Sequence, residues 1–141
     1  MEARTIWYML QTACAAVAGW IGYFLGCWDG LLYALTAFVI IDYFTGVMCA
    51  VVEGTLSGAV SMKGVIKKLT IFLIVGVAHV IDGAIGNGGL ARTATLIFFI
   101  SNEGISLLEN TGRLGLPIPP GLKEAIKQLH AKSRENGSSD K

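Results

Sequence analysis

The chain contains side chains of types that can bind metals or transfer protons in enzymes, among them His79, Asp82, Glu103 and Glu109. Their spacing supports neither chemistry, since the chain has no Glu-x-x-His pair, no Gly-x-Ser-x-Gly and no phosphate-binding loop. The three cysteines include no CxxC pair, so neither a disulfide framework nor a zinc site is indicated. We therefore expect no enzyme, no metal and no cofactor.

The composition indicates a membrane protein. Of 141 residues, 53% are hydrophobic and only 15% are charged, and the mean hydropathy is +0.60. This composition is not that of a soluble globular domain. A formal charge of +1 gives no reason to expect a nucleic-acid partner.

Four apolar segments set the fold class, because each approaches the length that crosses a bilayer of roughly 30 Å. We predict an all-α integral membrane protein with about four transmembrane helices, at about 5–28, 31–52, 69–85 and 92–112. The fourth segment becomes polar after Ile100, so three spans remain if it lies at the interface. Residues 53–68 read as a polar connector between the second and third spans.

The chain divides into a transmembrane helical domain, 1–120, and a cytoplasmic basic tail, 121–141. Within the tail, residues 121–132 have helical amphipathic spacing that is typical of a helix at the membrane surface. Residues 133–141 are polar and are expected to be disordered.

Basic residues set the predicted orientation. The connector at 53–68 carries Lys63, Lys67 and Lys68, which we assign as basic residues that face lipid headgroups and fix the topology. The positive-inside rule places them in the cytoplasm. The tail is also basic, so both termini are predicted to be cytoplasmic, which requires an even number of spans.

Two ridges of small residues could let helices approach closely, as membrane helices do where side chains are small. The ridges are Ala18, Gly22 and Gly26 in the first span, and Gly46, Ala50 and Gly54 in the second. They are candidate oligomerisation or packing surfaces. The alternative is that they pack one chain against itself.

Polar residues inside the spans are candidates for lining a pore or sensing voltage. They are Asp42, Asn102, Glu103, Ser106, Glu109 and Asn110. A lone acid near the bilayer centre costs about 2.5 to 3.5 kcal/mol on insertion scales, so Asp42 should face protein or water. Interhelical hydrogen bonds that satisfy Asp42 are an equally good reading. For His79 and Asp82, near the outer end of the third span, anchoring at the interface is the better interpretation.

Two ordered blocks of residues resemble a known family. The first is DYFTG at 42–46, EGTLSG at 53–58 and KGVIKKL at 63–69, and the second is NEGISLLEN at 102–110 with GLPIP at 115–119. These blocks look like the signature of the toxin-secretion/phage-lysis holins. Asp82 and Arg92 also fall where that pattern has an acid ending one span and an arginine opening the next. The resemblance covers roughly residues 29–130.

The resemblance implies a small phage protein that forms homo-oligomers in the lipid bilayer of the host cytoplasmic membrane. The resulting lesions would let a cytosolic endolysin reach the cell wall, without direct contact between the two proteins, and some relatives are thought to export toxins similarly. Crowding or loss of membrane potential would tip small oligomers into larger assemblies whose polar faces meet water.

Two other classes remain open. A small proton-coupled multidrug transporter has a similar size, although the acid typical of its first span is missing here. A non-transporting membrane scaffold could use the basic loop and tail to recruit a partner or anionic lipid. Overexpression of a scaffold would leave membrane permeability unchanged.

Overall fold

Five helices make up the fold in the computed structural model, which describes residues 2–138 and their side chains as far as Glu135. The helices are α1 (Ala3–Phe24), α2 (Gly30–Val52), α3 (Gly58–Ile85), α4 (Leu90–Arg113) and α5 (Pro120–Ser138). No strand occurs in this part of the chain. The all-helical prediction is confirmed.

The core lies where α2, α3 and α4 meet, and α4 packs against both α2 and α3. The buried apolar cluster consists of Leu25, Leu32, Leu35, Val39, Ile71, Val75, Leu96 and Ile100. The first of these belongs to the turn after α1, and the others come from α2, α3 and α4. These three helices therefore form the packed body of the protein.

Only two helices of residues 2–138, α2 and α3, are both long and apolar enough to cross a membrane. Spanning by α1 and by α4 stays a prediction. In α4 the buried residues include Arg92, Ser101, Glu103 and Asn110, so its polar groups face the other helices.

The helix ends follow from local capping. Asp29 accepts a hydrogen bond of 2.8 Å from the backbone N–H of Leu32 and starts α2. Ser57 accepts from the N–H of Val60 at 3.2 Å and starts α3. The predicted connector at 53–68 is therefore wrong for most of its length, because α3 already begins at Gly58.

Two ridge glycines lie outside the helices to which the sequence assigned them. α1 ends at Phe24 and α2 ends at Val52, and Gly26 and Gly54 follow with φ of 81° and 68°. A left-handed backbone conformation is the usual role of glycine after a helix. Neither residue continues a helical packing ridge.

α1 is attached to the rest of the described chain less extensively than the other helices are. It has no buried residue, and it packs against no helix except α3. Near its end, the ring of Phe24 lies over Gly76 and stacks on Trp20, with ring centroids 5.8 Å apart. A Cβ at position 76 would overlap that ring. The contact between α1 and α3 at this point therefore requires glycine at position 76, because any side chain there would occupy the space of the Phe24 ring.

α5 turns back along α4 instead of extending away from the bundle. Ile126 is buried against Gly104, where an added Cβ would lie 3.1 Å from its Cγ2, and Ser133 Oγ lies 3.3 Å from Ser101 Oγ. The two contacts show that α5 runs antiparallel to α4. The predicted amphipathic helix is present, but its apolar side faces protein. The expected disorder is wrong for residues 133–138, and residues 139–141 lie outside the described residues.

Replacing Gly76 by alanine should displace the Phe24 ring and loosen α1, with a loss of about 1 to 3 kcal/mol in the free energy of unfolding, as overpacking typically causes. Thermal unfolding in detergent and fluorescence of the stacked Trp20 would measure both effects. Gly83→Ala is the matched control, because a Cβ there meets no atom within 4 Å. Equal behaviour of the two variants would contradict the role given to Gly76.

Candidate functional site

A buried ionic cluster joins the three central helices. Lys68 of α3 lies between two carboxylates, with its Nζ 2.5 Å from Asp42 Oδ2 of α2 and in direct contact with Glu103 Oε2 of α4. The side chain of Lys68 is 16% exposed, and each acid is 7% exposed. A single ammonium therefore binds two helices to a third.

Asn110, near the end of α4, donates a further hydrogen bond to the Asp42 carboxylate. Its Nδ2 donates to Asp42 Oδ1 at 3.1 Å and to Thr45 Oγ1 at 3.2 Å, while its backbone carbonyl accepts from Cys49 Sγ at 3.3 Å. Both oxygens of the Asp42 carboxylate are thus engaged. The reading of Asp42 as a side chain satisfied by interhelical hydrogen bonds describes this geometry.

Two glycines, Gly46 of α2 and Gly64 of α3, lie beside this cluster. A Cβ added at Gly46 would lie 3.7 Å from Asn110 Nδ2, and one added at Gly64 would lie 3.5 Å from the Tyr43 ring. Gly46 and Ala50 also line a cavity of about 210 Å³ between α2 and α3. The second ridge therefore approaches Asn110 of α4 at Gly46 and borders open space between α2 and α3 at Ala50.

The cluster is not electrically balanced, because two carboxylates face one ammonium. Its formal charge is −1 with all three groups ionised. Asp42 lies roughly 18 Å along the axis of α2 from Gly30, at a rise of about 1.5 Å per residue. An unbalanced charge near the middle of an apolar helix is costly unless partners hold it, and such groups usually serve a function.

A second polar cluster lies at the other end of α4, around Arg92. Its guanidinium donates to the carbonyl oxygens of Leu25 at 2.6 Å and Cys27 at 3.0 Å, and it pairs with Asp29 at 2.6 Å. Asp82 accepts from the backbone N–H groups of Ala91 and Arg92 at 2.8 and 2.7 Å and caps α4. Asp82 is therefore a helix cap, and the interface-anchoring interpretation missed these bonds.

The hydrogen bond from Arg92 is the main cause that lowers the pKa of Asp29 below its ordinary value of 3.8. The bond from the N–H of Leu32 acts in the same direction. The contribution of the ionised carboxylate is present at and above the ordinary carboxyl range, and it is lost as the pH falls through the lowered pKa. The contact stays formed at neutral pH.

A third ionic contact closes the opposite end of the bundle, between α4 and the connector after α2. Arg113 donates from Nε and Nη2 to the two carboxylate oxygens of Glu53, at 2.9 and 2.5 Å. The two side chains are 50% and 41% exposed, so this forked pair adds little stability. It nevertheless fixes the position of one helix end, and no sequence pattern singled it out.

The six predicted polar candidates separate into two groups. Asp42, Glu103 and Asn110 belong to the ionic cluster, whereas Asn102, Ser106 and Glu109 line a cleft beside it that α3 and α5 complete. The polar residues of α4 are thus divided between two places, because Asn110 turns toward Asp42 and Thr45 of α2.

The structure corrects the role assigned to Lys68. It was expected to face lipid headgroups with Lys63 and Lys67, but it points inward, because its chain position brings it between Asp42 and Glu103. Lys63 and Lys67 are exposed. In the first ridge Ala18 is exposed, and a Cβ added at Gly22 would lie 3.8 Å from the Trp28 ring. Gly26, beyond the end of α1, lies against the side chains of His79 and Arg92.

Known proteins similar to this chain agree with the resemblance in its sequence. The family described as "Bacteriophage holin family" matches residues 19–131. The chain belongs to this family. No solved structure matches it.

Several relatives cover most of the chain. An uncharacterised protein of Clostridium perfringens is 42% identical over 76% of this chain and 82% of its own. Another, of Halalkalibacterium halodurans, is 38% identical over 86% of this chain and 93% of its own. A protein of Bacillus phage phi105 named "Probable holin" is 32% identical over 72% of this chain and 75% of its own. Family membership and the two apolar helices together point to a membrane location.

Replacing Lys68 by methionine should lower the free energy of unfolding by about 3 to 5 kcal/mol, because two buried carboxylates would then face each other without a cation. Thermal unfolding of the purified protein in detergent measures this loss. Adding Asp42→Asn and Glu103→Gln to the same variant should recover part of the stability. Lys63→Met is the matched control on the same helix, and a Lys68→Met protein as stable as that control would contradict the bridging role.

Proposed function

We propose that the protein is a holin, which assembles in the host cytoplasmic membrane into lesions that release an endolysin during programmed lysis. The observation that carries this proposal is the ionic cluster of Asp42, Lys68 and Glu103 in a member of the holin family. The cluster keeps charged groups away from lipid within one chain. The same groups, and the polar residues beside them, could face water when several chains associate.

The proposed topology has four spans and both termini in the cytoplasm. Two helices support it directly by their length and apolar composition. For α4, the support is that Arg92, Glu103 and Asn110 are buried against other helices, which lowers the cost of placing them in a bilayer. The exposed Lys63 and Lys67 would then lie on the cytoplasmic side.

Membrane potential is the proposed trigger. The cluster carries a formal charge of −1, and one charge moved across the full potential changes the free energy by about 2.3 kcal/mol per 100 mV. Collapse of the potential removes that bias. A nearly balanced equilibrium between small oligomers and large assemblies would then shift toward lesions.

Induced expression in a bacterium together with a cytosolic endolysin tests the function, with culture density and release of a large cytosolic reporter as readouts. We expect abrupt lysis at a reproducible time, earlier when an energy poison is added and absent without the endolysin. Depolarisation without reporter release would instead indicate a small channel. Abundant membrane protein with neither event would contradict the proposal and favour a scaffold or transporter.

Asp42→Asn should weaken the response to the energy poison, because it leaves Lys68 paired with Glu103 alone and brings the formal charge of the cluster to zero. The hydrogen bond from Asn110 to the side-chain oxygen can remain. The measurement is the advance in lysis time that the poison causes, compared at equal protein levels in membranes. Glu124→Gln, which removes an exposed acid on α5, is the control. An unchanged advance in Asp42→Asn would exclude this residue from voltage sensing.

A further inference from the structure

A cleft with a polar and an apolar end opens between α3, α4 and α5. Its volume is about 590 Å³, with Lys67, Ser106 and Glu109 toward one end and Ile74 and Phe99 toward the other. A second cavity of about 320 Å³ shares Ile74 and Phe99 and extends the apolar end along α4. The two together form an elongated groove that changes from polar to apolar.

Polar atoms in the cleft lack partners. Nδ1 of His130 is shielded from solvent and makes no hydrogen bond with any described residue. The side chains of Lys67, Asn102 and Ser106, which solvent can reach, also make no hydrogen bond to the side chains and backbone described over residues 2–135. Buried polar atoms are nearly always hydrogen-bonded, so an unpaired one in a cleft points to a ligand.

The charges of the cleft select the ligand. Lys68 and Glu103 line it but already hold each other, which leaves Lys67 as its unengaged cation and the exposed Glu109 as its anion. Arg113 follows Glu109 by one turn, but its guanidinium is bound to Glu53. A ligand with neighbouring negative and positive groups, attached to an apolar chain, matches this arrangement.

We propose that the cleft binds a phospholipid with an ethanolamine headgroup. The phosphate accepts from Lys67, with Ser106 and a protonated Nδ1 of His130 as further donors, and the ammonium donates to Glu109. One acyl chain follows Ile74 and Phe99 into the second cavity. With the start of α3 on the cytoplasmic side, the headgroup end of the groove faces the cytoplasm and the acyl chain runs toward the opposite side of the membrane.

This inference rests on the proposed membrane orientation but not on lesion formation. A lipid held in this position would cover the polar side chains of α4 that the ionic cluster leaves unpaired. It would thus complete the shielding of α4 in a single chain. Association of several chains would have to displace it before Asn102 and Ser106 could meet water.

The test is lipid retention by the full-length protein in detergent, measured by native mass spectrometry. The probes are dioleoyl phosphatidylethanolamine, dioleoyl phosphatidylglycerol and dioleoyl phosphatidylcholine at equal concentrations. We expect the ethanolamine lipid to be retained most strongly and to survive an excess of inorganic phosphate. Equal retention of the three lipids, or displacement by phosphate, would overturn the proposal.

Two variants test the headgroup contacts. Lys67→Met should weaken retention of the ethanolamine lipid about tenfold, which corresponds to one lost charge-assisted contact, whereas Lys63→Met, outside the cleft, should not. Glu109→Gln should shift the preference toward the glycerol headgroup, which carries no ammonium. Unfolding temperatures without lipid check that each variant is folded. Loss of retention in Lys63→Met equal to that in Lys67→Met would also overturn the site.

The outcome is independent of the lysis experiment. A protein that retains the ethanolamine lipid selectively but causes no lysis contradicts the holin proposal alone. A protein that lyses cells but shows no headgroup preference contradicts the lipid site alone.

Discussion

The ammonium of Lys68 is the contact on which the arrangement of the central helices depends. It joins α3 to a carboxylate of α2 and a carboxylate of α4, and all three side chains are largely removed from solvent. In an apolar environment an unpaired charge is costly, so an arrangement of the helices that separated these groups would be strongly destabilised. The cluster therefore specifies which helices are neighbours, while the apolar core around Leu35 and Val75 supplies the contact area.

An arginine near each end of α4 contacts another part of the chain, and the two arginines have different partners. Arg92 binds two backbone carbonyls of the turn after α1, so it fixes the path of the chain between α1 and α2. Arg113 binds the acid that follows α2. A helix with this many polar side chains can lie in a membrane only if other protein groups form hydrogen bonds or ion pairs with them. Here other parts of the same chain provide those groups.

Helix positions were largely predictable, but the partners of polar residues were not. The length of the apolar segment predicted α2, whose observed bounds, Gly30–Val52, lie close to the predicted 31–52. The start of α3 was missed, although Ser57 is a suitable cap, because the lysines after it read as a loop. Lys68 was assigned to the surface because periodicity gives no information on which helix lies opposite. The α4 residues Glu103 and Asn110 were recognised as unusual, but their partners follow only from tertiary packing.

The exposed first helix has a consequence for how the sequence can vary. α1 contributes no buried residue, and only its last turn, at Phe24, enters a fitted contact with the bundle. Substitutions among apolar residues over 3–18 are therefore expected to leave the core of this chain untouched. The family match begins at residue 19, close to where α1 first acquires a structural constraint.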